Sequence, residues 1–351
     1  MTSLHLSQTR KWLLSSPPIE WAVHRLRELL IGALRQGPIP QHVAFIMDGN
    51  RRFARRSQIE TVEGHNLGFE ALARVLEVCY KSGVKVVTIY AFSIENFKRS
   101  KYEVDALMDM ARVKLSQMAQ HGDLLDRYGA SIRVLGQREL VKPDVLESID
   151  RAVKLTRHND RAILNVCFPY TSRDEITTAI RTTVQEYSMP RPSEPSSMPF
   201  PESRIASKIH NRKPSATASE TASTEINDDP EPEDSASASS DDTTLHPDSP
   251  PSLHISSRFP NPEKITEATL DAHLFTADNP PLDLLVRTSG VERLSDFMLW
   301  QCHKNTEIVF LECLWPEFDL WHFLPVLIEW QWRKRKSEER EWAVGRRRAG
   351  R

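Results

Sequence analysis

Four arginines, one aspartate and one asparagine fall between Asp48 and Arg56 in HVAFIMDGNRRFARR, the stretch from His42 to Arg56. Val43 to Met47 are apolar and run straight into Asp48, and Gly49 and Asn50 make the turn that follows. Guanidinium forks on Arg51, Arg52, Arg55 and Arg56 match phosphate oxygens. A glycine at a turn lets backbone N–H groups close on an anion. A lone carboxylate beside bound phosphate commonly shares a Mg²⁺ ion with it. By itself the segment reads either as an anion site of this kind or as a turn followed by a solvated basic helix; with the two segments that follow, it indicates a site that holds and ionises phosphate esters. No G-x-x-x-x-G-K-[ST] segment occurs, so this is not the phosphate loop of nucleotide hydrolases.

Two later segments carry the same residue types. YAFSIENFKRS presents Ser93, Glu95, Asn96, Lys98 and Arg99, and VRTSGVERLSDF presents Arg287, Arg293 and Ser295. The three can converge only if each ends a strand on one edge of one sheet. The hydropathy pattern predicts such strands at 43–47, 84–92, 131–136, 162–168, 282–286 and 307–314. Helices are predicted near 66–81, 101–128, 143–157, 171–187, 265–275 and 294–303, with a last one from about Phe318 past Trp332. Strands alternating with helices make an α/β fold with a parallel sheet covered on both faces, and ligands bind at the carboxyl ends of its strands. The helix after Arg99 carries Val104, Leu107, Met108, Ala111, Leu115 and Met118 at helical spacing. That stripe is either core or the wall of an apolar slot. A diphosphate clamp beside such a slot suits an isoprenoid diphosphate.

The rest of the chain bounds the reading. Of 351 residues, 39% are hydrophobic, which predicts that part of the chain does not fold into the core. Lys and Arg number 46 against 48 Asp and Glu, so net charge makes no case for nucleic acid, and the motifs of a nucleic-acid module are missing. Cys79, Cys167, Cys302 and Cys313 form no C-x-x-C pair and read as buried free thiols. Residues 188–262 form a Ser/Pro/acidic insertion expected to be disordered. It divides a single domain into 41–187 and 263–332, between an N-terminal segment, 1–40, and a basic tail, 333–351. In the N-terminal segment a helix over 17–36 puts Ala22, Val23, Leu26, Leu30, Ala33 and Leu34 on one stripe, which either packs on the body or lies in a membrane interface. No run is apolar enough for a membrane span.

HVAFIMDGNRR, YAFSIENFKRS, LNVCFPYTSRDEI, LDLLVRTSGVERLSDFMLWQ and LWPEF together resemble the cis-prenyltransferases, the family of undecaprenyl and dehydrodolichyl diphosphate synthases. The resemblance implies a six-stranded parallel sheet flanked by helices around a hydrophobic tunnel. It implies condensation of isopentenyl diphosphate, in cis, onto an allylic starter such as farnesyl diphosphate, yielding dehydrodolichyl diphosphate for dolichol synthesis and protein glycosylation. By the same resemblance Asp48 holds Mg²⁺, and Gly49, Asn50, Arg51, Arg52 and His65 surround the starter diphosphate. Phe92, Ser93, Asn96 and Arg99 match the reacting centre, Arg287, Arg293 and Ser295 the isopentenyl diphosphate clamp, and Glu307 a second metal ligand.

Three departures accompany the match. TVEGH stands where bacterial relatives carry an arginine before His65. Glu307, eight residues before Trp315, matches a glutamate that eukaryotic members often lack. The family's R-x-G ending is not at its usual distance after LWPEF, and Arg348–Gly350 supplies those letters only late. In many eukaryotes a silent partner related to the Nogo-B receptor supplies that ending, so a heteromer is expected, held peripherally on the cytosolic side of the endoplasmic reticulum membrane or on lipid droplets. A non-catalytic scaffold subunit of the same fold is the alternative reading. Asp48, Asn50, Arg52, Arg287, Arg293 and Ser295 all being present weighs against it.

Overall fold

β1 (His42–Ile46) is buried at every position. It lies at the middle of a sheet rather than at an edge, which is why it reads as an unbroken apolar run. The computed structural model describes residues 17–120, 124–190 and 259–349, so most of the predicted insertion lies outside the described residues. In chain order the elements are α1 (Pro17–Leu34), β1, α2 (Asn50–Ser57), α3 (Thr61–Ser82), β2 (Val86–Tyr90), α4 (Lys101–Met118), α5 (Leu124–Tyr128) and β3 (Ala130–Leu135). They continue with α6 (Pro143–Thr156), β4 (Ala162–Cys167), α7 (Ser172–Ser188), α8 (Glu267–Asp271), β5 (Leu284–Arg287), β6 (Glu307–Phe310) and α9 (Leu320–Ala349). Of residues 185–264, the described ones are the end of α7 with the two residues after it and the stretch 259–264 with the turn Pro262–Lys264.

The six strands pair in the order β3-β4-β2-β1-β5-β6, and every pairing is parallel. Alternation along β1 sends Val43 and Phe45 to one face and Ala44 and Ile46 to the other. The first face packs under α3, α4, α6 and α9. There Phe45 meets Trp315, Phe318 and Phe323 with ring centroids 5.9, 6.1 and 5.5 Å away. The second face packs against Tyr170, Phe297 and Met298.

Several expected boundaries shift for identifiable reasons. The ladder of β2 stops at Tyr90 because its partner β4 ends at Cys167, so Phe92 has left the sheet. Beyond Phe310 the edge chain leaves its ladder, and the carbonyls of Leu311 and Cys313 accept instead from the N–H groups of Gly290 and Ser289. The helix expected over 294–303 does not form. Ser295, Asp296 and Met298 have φ of 51°, 62° and 48°, in the left-handed region that interrupts a right-handed helix, and a single turn, Gln301–His303, remains. The 101–128 prediction separates into α4 and α5, and the 265–275 prediction contracts to α8. α1 forms, but its buried side centres on Ile31 and Leu34, while Ala22, Leu26 and Ala33 of the expected stripe stay exposed. The basic tail is not separate: α9 continues through it to Ala349, and Gly350 lies outside the described residues.

Under the amino ends of the strands sits a buried polar group. His42 Nε2 shares a 2.7 Å hydrogen bond with Thr88 Oγ1, which also accepts from Asn165 Nδ2 at 3.0 Å, and His42 Nδ1 meets the Pro280 carbonyl at 3.0 Å. Burial lowers the His42 pKa to about 4, against a weaker upward pull from the Pro280 carbonyl. The unfolded chain therefore takes up a proton below about pH 6.5 that the folded chain refuses until about pH 4, and stability is lost as pH falls through that window. The loss attributable to His42 is about 3 kcal/mol. Urea unfolding across this window is expected to show a falling midpoint. His42→Gln should make the slope shallower; His65, whose pKa is lowered in the same way, contributes to what remains. An unchanged slope in the variant would overturn the assignment.

Candidate functional site

β1 and β5 are neighbours, but their chains leave in opposite directions, β1 toward β2 and β5 toward β6. A crevice opens between such strands at their carboxyl ends. Ile46 pairs with Arg287 in register, so Asp48, two residues on, meets the end of β5. Arg287 is 3% exposed and donates from Nη2 to Asp48 Oδ2 at 2.9 Å. Arg52 approaches the same oxygen at 3.4 Å and donates to the Ser289 carbonyl at 2.9 Å and to the Ser289 hydroxyl. The Asp48 main chain is held as well: its carbonyl accepts from Thr288 Oγ1 at 2.7 Å and from the Trp315 N–H at 3.0 Å. Burial alone would raise the Asp48 pKa. Hydrogen bonds from Arg287 and Ser289, with the charges of Arg287 and Arg52, outweigh it and lower the pKa, so Asp48 is ionised at neutral pH.

α2 starts at Asn50 behind Gly49, whose φ of 112° a side chain rarely adopts. No side chain caps this helix, so its first N–H groups are left for an anion. α2 packs on α3 through two glycines one turn apart. A Cβ on Gly68 would stand 2.4 Å from Asn50 Oδ1, and one on Gly64 would stand 2.8 Å from the Asn50 carbonyl. Burial first, then the charges of Arg99 and Arg51, lowers the His65 pKa to about 4 against a smaller opposing effect of Glu103, so the imidazole is neutral. Asn50 Oδ1, His65 Nε2 and Arg287 Nε are buried without a protein partner, and all three residues line one cavity.

The loop after β2 supplies a second wall. Phe92 is buried and meets Phe97 and Phe168 with centroids 5.0 and 5.3 Å away. Ser93 caps the turn Ile94–Lys98 by accepting from the Glu95 N–H at 3.2 Å. Asn96 Oδ1 accepts from Arg99 at 3.0 Å, and Glu103 holds Arg99 at 2.8 Å and Arg51 at 3.8 Å. The loop after β5 supplies the third wall. Arg287 donates to Ser295 Oγ at 2.7 Å and to the Arg293 carbonyl, and Arg293 Nε reaches Ser295 Oγ at 3.4 Å.

The cavity measures about 900 Å³. Asp48, Asn50, Arg51, Arg52, His65, Arg99, Arg287, Arg293 and Ser295 form its polar end. Leu72, Ile89, Leu107, Ala111, Leu115, Met118, Leu164 and Val166 form its apolar end, between the sheet and helices α3 and α4. Part of the α4 stripe therefore lines a slot, while Met108 is core.

Glu307 is not part of this site. It opens β6 at the amino end of the sheet and pairs with Arg333 at 2.9 Å. Arg55 and Arg56 are exposed beyond the cavity, and Arg56 pairs with Glu317 at 3.4 Å. Sequence reasoning missed Gly64, Gly68, Glu103, Thr288, Ser289, Arg173 and Asp296. Of these, Gly64 and Gly68 had a signal, two small residues four apart on a helix.

Among the described residues no group of three or more His, Cys, Asp or Glu side chains could hold a metal ion. The polar end still suits a divalent cation. Asp48 is ionised and faces the cavity, and a Mg²⁺ ion held by one carboxylate takes its remaining oxygens from bound phosphate and water.

Comparison with known proteins agrees with this geometry. Residues 46–232 and 235–338 match the prenyltransferase family described as undecaprenyl diphosphate synthase. A dehydrodolichyl diphosphate synthase complex subunit of Schizosaccharomyces pombe is 43% identical over 320 residues, 91% of this chain and 96% of its own. A human dehydrodolichyl diphosphate synthase complex subunit is 36% identical over 298 residues, 85% of this chain and 69% of its own. The crystal structure of lavandulyl diphosphate synthase from Lavandula x intermedia, in complex with dimethylallyl diphosphate, superposes with a TM-score of 0.57. That match covers 84% of this chain and 95% of the other at 24% identity, a likeness of fold.

Lysine in place of Arg287 keeps the charge but cannot reach Asp48, Ser295 and the Arg293 carbonyl together. Calorimetry with inorganic diphosphate is expected to show Arg287→Lys binding about tenfold more weakly, ~1.4 kcal/mol. Unchanged affinity would remove Arg287 from the anion site.

Proposed function

The chain belongs to the undecaprenyl diphosphate synthase family of prenyltransferases, and from that premise we propose that it is the catalytic chain of a dehydrodolichyl diphosphate synthase. It is a cis-prenyltransferase. It elongates an allylic starter such as farnesyl diphosphate with isopentenyl diphosphate, making polyprenyl diphosphate for dolichol synthesis. The observation that carries this reading is the single cavity that is cationic at the sheet's switch point and apolar at its far end. A diphosphate head and a growing hydrocarbon tail need those two surroundings in one continuous space.

The starter diphosphate occupies the α2 end, against the uncapped N–H groups and Arg51 and Arg52. Breaking its allylic C–O bond leaves negative charge on the diphosphate, which these donors stabilise where it forms. Arg287, Arg293 and Ser295 hold the second diphosphate. The double bond of that substrate then attacks the allylic cation, and a proton is lost from the new cation. His65 is a neutral hydrogen-bonding group at this pH, not a cation. The diphosphate oxygen of the departing group takes the proton, with Asn50 beside it. Asn50→Ala with full turnover would remove Asn50 from that step. Asp48 would hold a Mg²⁺ ion together with diphosphate oxygens, and the ion would supply further charge neutralisation when bound.

A partner subunit of the Nogo-B receptor type completes the complex in this reading. The relatives named as complex subunits support it, as does the R-x-G triplet after LWPEF, which comes as late as Arg348–Gly350. We further propose peripheral contact with the cytosolic face of the endoplasmic reticulum membrane. Exposed Trp21 and Leu29 on α1 support that contact, and among the described residues no helix is long and apolar enough to cross a membrane.

The deciding experiment supplies the purified chain with farnesyl diphosphate, labelled isopentenyl diphosphate and Mg²⁺, with and without the candidate partner. Long polyprenyl diphosphate is expected, at least with the partner present. Asp48→Ala should reduce it at least ~100-fold. No product under either condition, with Asp48→Ala indistinguishable, would assign the chain to a scaffold role.

A further inference from the structure

The loop after β5 is held in an unfavourable shape. Ser289, Ser295, Asp296 and Met298 have φ of 87°, 51°, 62° and 48°, and none of them is glycine. Residues persist in such conformations only where their surroundings over-determine them. Hydrophobic burial anchors one side, because Phe297 and Met298 are 0% and 1% exposed. The other side is polar and meets the start of α7. Asp296 Oδ1 accepts from the Arg173 N–H at 3.0 Å, and Oδ2 accepts from Arg173 Nε at 2.7 Å. The Asp296 carbonyl accepts from the Ser172 N–H at 2.7 Å, and Ser172 Oγ accepts from the Leu299 N–H at 3.0 Å. Asp296 thus satisfies N–H groups of the first turn of α7, which no residue of that helix can satisfy.

What this docking controls is the next residue back. Ser295 Oγ is the hydroxyl on which Arg287 and Arg293 converge, and Ser295 is itself exposed. Its main-chain carbonyl accepts from Tyr90 Oη at 3.3 Å, the only other hydrogen bond to Ser295 among the described residues. Arg173 also approaches Glu95, at 3.6 Å, in the loop that carries Ser93 and Asn96. One guanidinium therefore ties together the loops after β2 and β5, two walls of the same cavity.

We propose that Asp296 is a positioning residue: its pairing with Arg173 latches the loop after β5 onto α7, places Ser295 and Arg293, and so sets the affinity for isopentenyl diphosphate rather than for the starter. The proposal rests on the prenyltransferase reading of the same cavity. Asp296 need not touch substrate for this, because it acts through the neighbouring Ser295.

Two variants separate the latch from simple backbone strain. Asp296→Gly accepts the positive φ freely but has no carboxylate, whereas Asp296→Asn tolerates that φ and keeps an acceptor for the Arg173 N–H. In steady-state kinetics on the full chain with its partner, Asp296→Gly is expected to raise the KM for isopentenyl diphosphate about tenfold. The KM for the starter should stay within about twofold, and Asp296→Asn should recover most of the loss. Amide hydrogen exchange read by mass spectrometry should show residues 289–299 exchanging faster in Asp296→Gly while peptides from β1 and β2 are unaltered. Equal changes in both KM values, or an unaltered KM for isopentenyl diphosphate, would overturn the proposal. If the wild-type chain makes no polyprenyl product, the prenyltransferase reading fails by itself. Exchange over 289–299 and calorimetric binding of isopentenyl diphosphate then decide the latch without turnover: faster exchange with weaker binding in Asp296→Gly supports it, and no change in either overturns it.

Discussion

The ion pair between Asp48 and Arg287 is the constraint around which this site is organised. Arg287 is almost wholly buried, and a buried guanidinium requires a carboxylate and hydrogen-bond acceptors close by. Asp48 supplies the first, and Ser295 and the Arg293 carbonyl supply the second. Both charges sit where the sheet changes direction, between two strands whose chains lead away from each other. The loops after β1 and β5 are consequently tied to one another, and an anion arriving at one is felt by the other. Arg51, Arg52, Arg99, Arg287 and Arg293 face Asp48 and Glu103 across this end, an excess of cations that favours an anionic ligand.

From that centre the cavity changes character along its length. Near the strand ends its wall is guanidinium, amide and uncapped helix N–H. Between the sheet and α3 and α4 it is leucine, isoleucine, valine and methionine. The transition depends on close packing as much as on composition. Gly64 and Gly68 let α2 lie against α3, and Asn50 and His65 are consequently buried with a polar atom each that no protein group satisfies. Keeping such atoms unpaired costs stability, and the sequence retains them at the point where charge must be redistributed. Burial also keeps His65 neutral, so it adds no charge to a region already rich in arginine.

Much of this was legible before any coordinates. A buried run ending at Asp48, and arginine- and hydroxyl-rich segments after two other apolar runs, placed three polar loops on one sheet edge. The six strands, their parallel pairing and eleven of the thirteen cavity residues among the fourteen named follow from periodicity and from the resemblance those blocks carry; the other two, His65 and Phe92, follow from the resemblance alone. These are local properties, since hydropathy alternation and turn residues act over a few positions. The errors were of another kind. Glu307 faces Arg333 at the far end of its strand, and the 294–303 segment is a strained loop because Asp296 is drawn to a helix start 123 residues earlier in the chain. The glycine contacts between α2 and α3, and the pairing of Asp48 with Arg287 across 239 residues, likewise depend on which surfaces meet. The sequence by itself determined the elements and the chemical types at their ends. Which of those ends face one another was decided only in three dimensions, because contacts between distant segments depend on packing and on strand order, and no local pattern encodes either.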